Sequence, residues 1–150
     1  MYIPRKVLCV CHGNSDRSPL MAAVLLMYLR QAMIPGVLVE SAGILEHAKN
    51  GGGASEGSTV TARRLGLDLS THQKRWVNEI PDLDRFDLII GSDIEATGYM
   101  FGKLKVPKEK LFRLDIPDPW PSTYRPDHDQ TAEAIMAGMC RVMFRYFSAE

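Results

Sequence analysis

Cys11 and Arg17 stand with five residues between them in "CHGNSDRSP", where an apolar segment gives way to a helix-like one. An ionised thiol is a strong nucleophile. A guanidinium presents a planar fork to two oxygens of an anion. A short loop between strand and helix can curl so that its N–H groups face inward as a nest for an anion, and the helix N-terminus adds partial positive charge. The backbone of His12, Gly13, Asn14, Ser15 and Asp16 spans the gap to Arg17. Gly13 is expected to supply a positive φ, and Asn14 is the other residue that tolerates the left-handed conformation. Ser18 is placed to donate a hydrogen bond to the sulfur. The pattern points to nucleophilic attack on a phosphate-like anion, by Cys11, in a loop completed by Arg17 and Ser18. A bare C-x5-R pair is more often a structural thiol beside a plain turn. The full string between strand and helix carries the functional reading.

Elements of the right kind flank this loop. Lys6–Val10, short, apolar and rich in β-branched residues, reads as a buried strand. Ser18 and Pro19 suit the cap and first position of a helix that Pro35-Gly36 closes. Further strands are expected at Val37–Ser41, Phe86–Ser92 and Leu111–Asp115. Helices are expected at Ser58–Leu65, from about Asp93, and over roughly Asp129–Phe147, where Ile135, Met136, Met139, Met143 and Phe147 share a face. Asn50–Gly57 is glycine-rich and reads as a flexible loop. Alternating strands and helices predict an α/β fold: a single-domain three-layer sandwich over residues 1–150, with a central four-stranded, mostly parallel sheet and helices on both faces. In such folds ligands bind beyond the carboxyl ends of the strands. The Cys11 loop and "IPDPWPSTYRP" after the fourth strand both lie there.

Eighteen basic and eighteen acidic residues leave no net charge, which gives no support to a nucleic-acid surface or a membrane-binding face. No apolar run approaches the roughly 18–20 residues that span a bilayer. Three cysteines suit no disulfide framework, so a reducing, cytoplasmic setting is expected. His12, His47 and His128 show no metal-ligand spacing and are expected at surface or loop positions; neither metal nor cofactor is implied.

"CHGNSDRSP" resembles the active-site loop of the low-molecular-weight protein tyrosine phosphatases, whose pattern is C-x-G-N-x-C-R-S-P near the N-terminus. "ESAG" (Glu40–Gly43), "LDLSTHQKR" (Leu67–Arg75), "FDLII" and "DIPDPW" (Asp115–Trp120) extend the likeness along most of the chain. The resemblance implies hydrolysis of phosphotyrosine in proteins, or of small aryl phosphates, through a phosphocysteine. Inorganic phosphate or sulfate would fit the same loop. Transfer to a thiolate needs a proton donor for the departing oxygen. The family's general acid falls on Asp118, bracketed by Pro117 and Pro119, with Asp115 the nearest rival. Trp120 would offer an aromatic wall to a phenyl ring, core filling being its ordinary alternative. The resemblance gives Ser41 and His72 supporting roles around the loop asparagine.

Two departures from the family pattern matter. Asp16 occupies the place of a second cysteine, so the usual reversible disulfide partner is missing. Cys9 and Cys11, two apart in a strand, have Cα atoms about 6.6 Å apart, at the long end of disulfide geometry, so no easy bridge is expected. Cys140 is expected in the core. Asp16 turned inward would repel the anion, and an outward orientation toward backbone or solvent is preferred. The second departure is the lack of an aromatic residue between Ser41 and Thr61, where many relatives carry the pocket's other wall. Arsenate reduction on the same scaffold, or a catalytically weakened phosphate-binding module, are the alternative functions.

Overall fold

The computed structural model describes residues 2–148. Four strands, β1 (Lys6–Cys11), β2 (Leu38–Gly43), β3 (Leu88–Gly91) and β4 (Leu111–Arg113), form one sheet in the order β2-β1-β3-β4. Every pairing is parallel, so the sheet is wholly rather than mostly parallel. β1 lies inside the sheet and is covered on both faces, which is why it reads as one apolar run: Val7 to Val10 are fully buried.

Side-chain alternation divides the core in two. Val7, Cys9, Leu88 and Ile90 face one way, against Leu20, Val24 and Leu25 of α1 (Arg17–Gln31), Ala62 of α2 (Glu56–Arg64), and Ile135 and Met139 of α4 (Arg125–Val142). Leu8, Val10 and Ile89 face the other way, against Ala96 and Met100 of α3 (Ile94–Gly102). Each Val, Leu, Ile or Met among these, removed from water, stabilises the fold by about 1.5–3 kcal/mol before entropy is charged against it. The result is the three-layer sandwich expected from the sequence.

The boundaries differ from expectation where local chemistry overrides pattern. α1 begins at Arg17, so Pro19 occupies its third position, where its missing N–H is still unneeded. Ser18 is therefore not a cap, and its hydroxyl is free for other work. α2 begins at Glu56, with Ser55 Oγ accepting from Ser58 N at 3.1 Å. The glycine-rich run is thus half absorbed into structure: Glu46–Asn50 is a 3₁₀ turn, and Gly52 O and Ser55 N bond to Lys74 N and Ser15 O, both at 2.9 Å. α4 begins four residues early and continues into a wider turn over Met143–Phe147. Cys140 is exposed rather than core, because the buried stripe of α4 runs through Ile135, Met139 and Val142.

Candidate active site

β1 delivers Cys11 to the carboxyl edge of the sheet, where it is 2 % exposed, and α1 starts six residues later with Arg17. Outside partners take up the carbonyls of the intervening loop. Cys11 O accepts from Ile44 N at 3.0 Å, His12 O from Leu45 N at 2.9 Å and Ser15 O from Ser55 N at 2.9 Å. Asn14 O accepts from His72 Nε2 at 2.7 Å, and Asp16 O from Ser58 Oγ at 3.3 Å. In a trans peptide the N–H points opposite to the C=O. The amides of His12, Gly13, Ser15, Asp16 and Arg17 therefore turn away from these partners, and among the described residues none of them makes a hydrogen bond. The loop is an anion nest held open from behind.

Asn14, not Gly13, takes the left-handed conformation, at φ 59°. Its side chain explains why that strained residue stays put. Nδ2 donates to Ser18 Oγ at 2.8 Å and to Ser41 Oγ at 3.0 Å, and Oδ1 accepts from Arg75 N at 2.9 Å. Gly13 instead brings the loop close to His47, whose Cε1 would lie 3.2 Å from a Cβ there. Gly43 permits the loop to cross β2, since its Cβ would meet His12 O at 2.6 Å.

The sulfur has two neighbours of note. Asn14 N donates to Cys11 Sγ at 3.3 Å, and Ser18 Oγ lies 3.0 Å from it. Ser18 Oγ already accepts from Asn14 Nδ2, so its single proton is shared between Ala42 O at 3.3 Å and the sulfur. A thiol donates to this oxygen; a thiolate receives the hydroxyl proton instead. Cys9 behaves otherwise: full burial, with the nearby Cys11, pushes its thiol up, which keeps it protonated and inert.

Arg17 is 2 % exposed and is held on two sides. Nη1 donates to Asp93 Oδ2 at 2.9 Å and to Ile116 O at 3.0 Å, while Nη2 stands 3.5 Å from Asp118 Oδ2. Burial pushes the Asp93 carboxyl up, but the Ala96 N–H and Arg17 outweigh it and hold it below the usual range. His12 Nε2 lies 3.0 Å from the same carboxylate. His12, Asp93 and Glu95 have ligand-type atoms within 4.8 Å of one another, a grouping the spacing along the chain did not reveal. Asp93 in this group is committed to Arg17 and Ala96, and its tie to His12 joins the phosphate loop to the cap of α3.

The acid loop is clamped by α4. Thr131 Oγ1 donates to Pro117 O at 3.1 Å and His128 Nε2 to Ser122 O at 2.9 Å, bracketing Asp118. Asp118 lines a cleft of about 420 Å³ together with Cys11, Arg17, Leu45, His47, Lys74 and Trp120. Asp115 instead points outward and pairs with Arg113 at 3.6 Å. Trp120 is 71 % exposed, so it is a rim wall and not core. Leu45 and His47 stand where an aromatic wall was missing from the sequence.

Two expectations need correction. His128 is buried on α4 rather than at a loop or surface position, because Gly57 leaves room for its ring. Asp16 turns away from the sulfur, yet not toward solvent: it is 6 % exposed, and Oδ1 accepts from the hydroxyls of Ser55 and Ser58. Sequence reasoning missed Asp93, Ser55 and Ser58. Asp93 was findable, as an acidic helix cap at the carboxyl end of β3 beside a loop carrying an arginine.

A profile of the low molecular weight phosphotyrosine protein phosphatase family matches residues 6–143. A protein-arginine-phosphatase of Geobacillus stearothermophilus is 36% identical over 77 residues, which are 51% of this chain and 48% of that protein, so the match spans about half the relative's length. A low molecular weight protein tyrosine phosphatase from T. tengcongensis superposes with a TM-score of 0.81 at 22% identity, over 93% of this chain and 98% of that one. A Drosophila arginine phosphatase does so at 0.80 and 23%, over 97% and 99%. These two likenesses show the fold.

Proposed function

Since the chain belongs to the low molecular weight phosphotyrosine protein phosphatase family, we propose that it is a cysteine-dependent phosphatase hydrolysing phosphotyrosine in proteins or aryl phosphate monoesters. The observation that carries this is the set of five loop amides around Cys11 that have no partner among the described residues, with the buried Arg17 beside them. Donors fixed in place before substrate arrives stabilise charge on the equatorial oxygens at no further cost in reorganisation.

In the first step the Cys11 thiolate attacks phosphorus in line. The S–P bond forms, the P–O bond breaks, and Asp118 in its acid form gives its proton to the departing phenolate. Water then attacks the phosphocysteine, Asp118 takes its proton back, and phosphate leaves as the thiolate is restored. Ser18 supports the thiolate in both steps, Asn14, Ser41 and His72 hold the loop, and Trp120 flanks the aryl group. No part of this scheme asks for a metal.

Cys11→Ser should abolish hydrolysis of p-nitrophenyl phosphate while phosphate still binds; retained turnover rejects the nucleophile. A second reading, dephosphorylation of phosphoarginine, is favoured by the name of the 36% identical relative. Comparing phosphotyrosyl and phosphoarginyl peptides at equal concentration decides between them, with phosphotyrosine expected to be faster because Trp120 and Leu45 offer an apolar slot at the cleft mouth.

A further inference from the structure

A second cavity of about 420 Å³ adjoins the catalytic cleft, and Trp120 and Asp16 border both. Its walls are the Ser55–Thr61 segment of α2, the acid loop from Trp120 to Thr123, and Arg125 and His128 of α4. Nothing in the proposed hydrolysis uses it.

The floor of this cavity is acceptor chemistry. His128 Nε2 lies 2.9 Å from a backbone carbonyl, Ser122 O, which has no proton to give, so the proton sits on Nε2. His128 Nδ1 is enclosed beneath the cavity, has no hydrogen-bond partner among the described residues, and faces Asp16 Oδ1 at 4.0 Å, so the acceptors open to an occupant are carboxylate oxygens of Asp16 and Glu56. The ring is 5 % exposed. Asp16 Oδ1 is taken by two serine hydroxyls, and among the described residues no hydrogen bond goes to Oδ2. Glu56 stands exposed on the wall, while the cation Arg125 lies at the rim, 70 % exposed to solvent, and shares the Asp129 carboxylate with Arg64. Val60, Trp120 and Pro121 supply apolar sides. An occupant must bring donors and positive charge on an apolar stem, which describes a lysine or arginine side chain.

We propose that this cavity is a subsite for a basic side chain of the substrate protein, one or two residues from the phosphorylated one. Trp120 alone borders both cavities as a projecting wall, and successive residues of an extended chain advance about 3.3 Å, so a near neighbour of the phosphoresidue reaches across it. The inference rests on the phosphatase reading, because it takes the Cys11 loop as the seat of the phosphate.

The test measures binding of phosphotyrosyl hexapeptides to the full chain carrying Cys11→Ser, so the result does not depend on turnover. Peptides with lysine, alanine or glutamate at each flanking position are compared by calorimetry. At one position lysine should bind about tenfold tighter than alanine, and glutamate more weakly than either. Adding Val60→Trp, which fills the cavity, should remove that preference; so should Glu56→Lys, a charge reversal at an exposed position on the cavity wall. Neither residue lines the catalytic cleft, so with Cys11 intact both variants should hydrolyse p-nitrophenyl phosphate at the wild-type rate. Equal binding of lysine and alanine peptides at every position overturns the subsite, and so does a preference undiminished in both variants. Failure of p-nitrophenyl phosphate hydrolysis in the wild type would strike the proposed function instead, leaving the binding comparison to decide the subsite.

Discussion

The carboxylate of Asp93 holds the guanidinium of Arg17 at 2.9 Å, from the cap of a helix on the opposite face of the sheet. The cap is itself fixed, since the other oxygen accepts from Ala96 N at 2.9 Å. Arg17 thus arrives at the phosphate site already oriented. Asp93→Ala should free Nη1, leaving only Ile116 O to hold it. Loss of orientation by about 1 Å costs about 10²-fold in rate. We expect kcat/KM for p-nitrophenyl phosphate to fall by that order, with a rise in KM for phosphate esters and in the inhibition constant of inorganic phosphate. A fall in thermal stability with unchanged phosphate affinity would mean that Asp93 merely caps α3.

Asp118 supplies a proton only where the leaving group needs one. Asp118→Ala should slow phenyl phosphate by about 10²–10⁴-fold, the range of a positioned general acid. p-Nitrophenyl phosphate, with its better leaving group, should be slowed far less. Steady-state rates across a series of substituted phenols give a leaving-group slope that steepens in the variant. Equal slowing throughout the series would send the search to another acid; Asp115, paired with Arg113 at 3.6 Å, is turned the wrong way.

Asp16 is a fastening rather than a hazard to the anion. Asp16→Ala would strip Ser55 of its acceptor and leave Ser58 only the longer bond to the Asp16 carbonyl at 3.3 Å. A buried polar group left unpaired costs about 1–3 kcal/mol. For a chain of this length each kcal/mol lowers the melting temperature by about 2–4 °C. Calorimetric melting should show that drop, and Asp16→Asn should recover part of it. The family-like Asp16→Cys should not, since sulfur is a poor acceptor for two hydroxyls.

The layers and the catalytic loop were legible because each rests on local chemistry: an apolar run ending in a thiol, then small polar residues, then a proline-bearing helix. What stayed hidden depends on partners far along the chain. Arg17 meets Asp93 across 76 positions, and Asp16 meets Ser58 across 42. No periodicity encodes such pairs. Gly13 and Asn14 show the same limit on a smaller scale. Both residue types permit a positive φ, and it is Asn14, bonded to Ser18, Ser41, His72 and Arg75, that adopts it. His128 looked like an ordinary loop histidine because the vacancy that receives it is made by Gly57, on another helix.

Gly57 and His128 form a pair that can be tested as one. A Cβ at Gly57 would lie 2.3 Å from His128 Cε1 and 2.4 Å from Nε2. Gly57→Ala should therefore displace the ring from Ser122 O and overpack the α2–α4 contact, at about 1–3 kcal/mol. His128→Ala alone should loosen the acid loop and lower kcat more than it alters KM. In the double variant the clash is gone, so the stability loss should be smaller than the sum of the two. A double-mutant cycle from urea unfolding measures this; strict additivity would show that the ring simply moves aside.

His72 gives the loop a pH dependence with a definite sign. Burial lowers its affinity for a proton, and the nearby Lys74 adds to this, outweighing the hydrogen bond to Asn14 O that favours the charged ring. The folded pKa therefore lies below the unfolded value of about 6.5. Below that value the unfolded chain binds more protons than the folded one, so stability falls with falling pH. His72 should contribute its full stabilisation above pH of about 6.5 and lose it on acidification through the folded pKa. Urea midpoints between pH 7.5 and pH 5 (roughly one unit or more on either side of 6.5) should decline in the wild type. His72→Gln keeps a donor for Asn14 O and removes the titration, so its midpoints should decline less. An identical decline in both proteins would remove His72 as its source; Asp93 and Asp87, held below the usual carboxylate range by their partners, give up their stabilisation only at lower pH, below their ordinary value of 3.8.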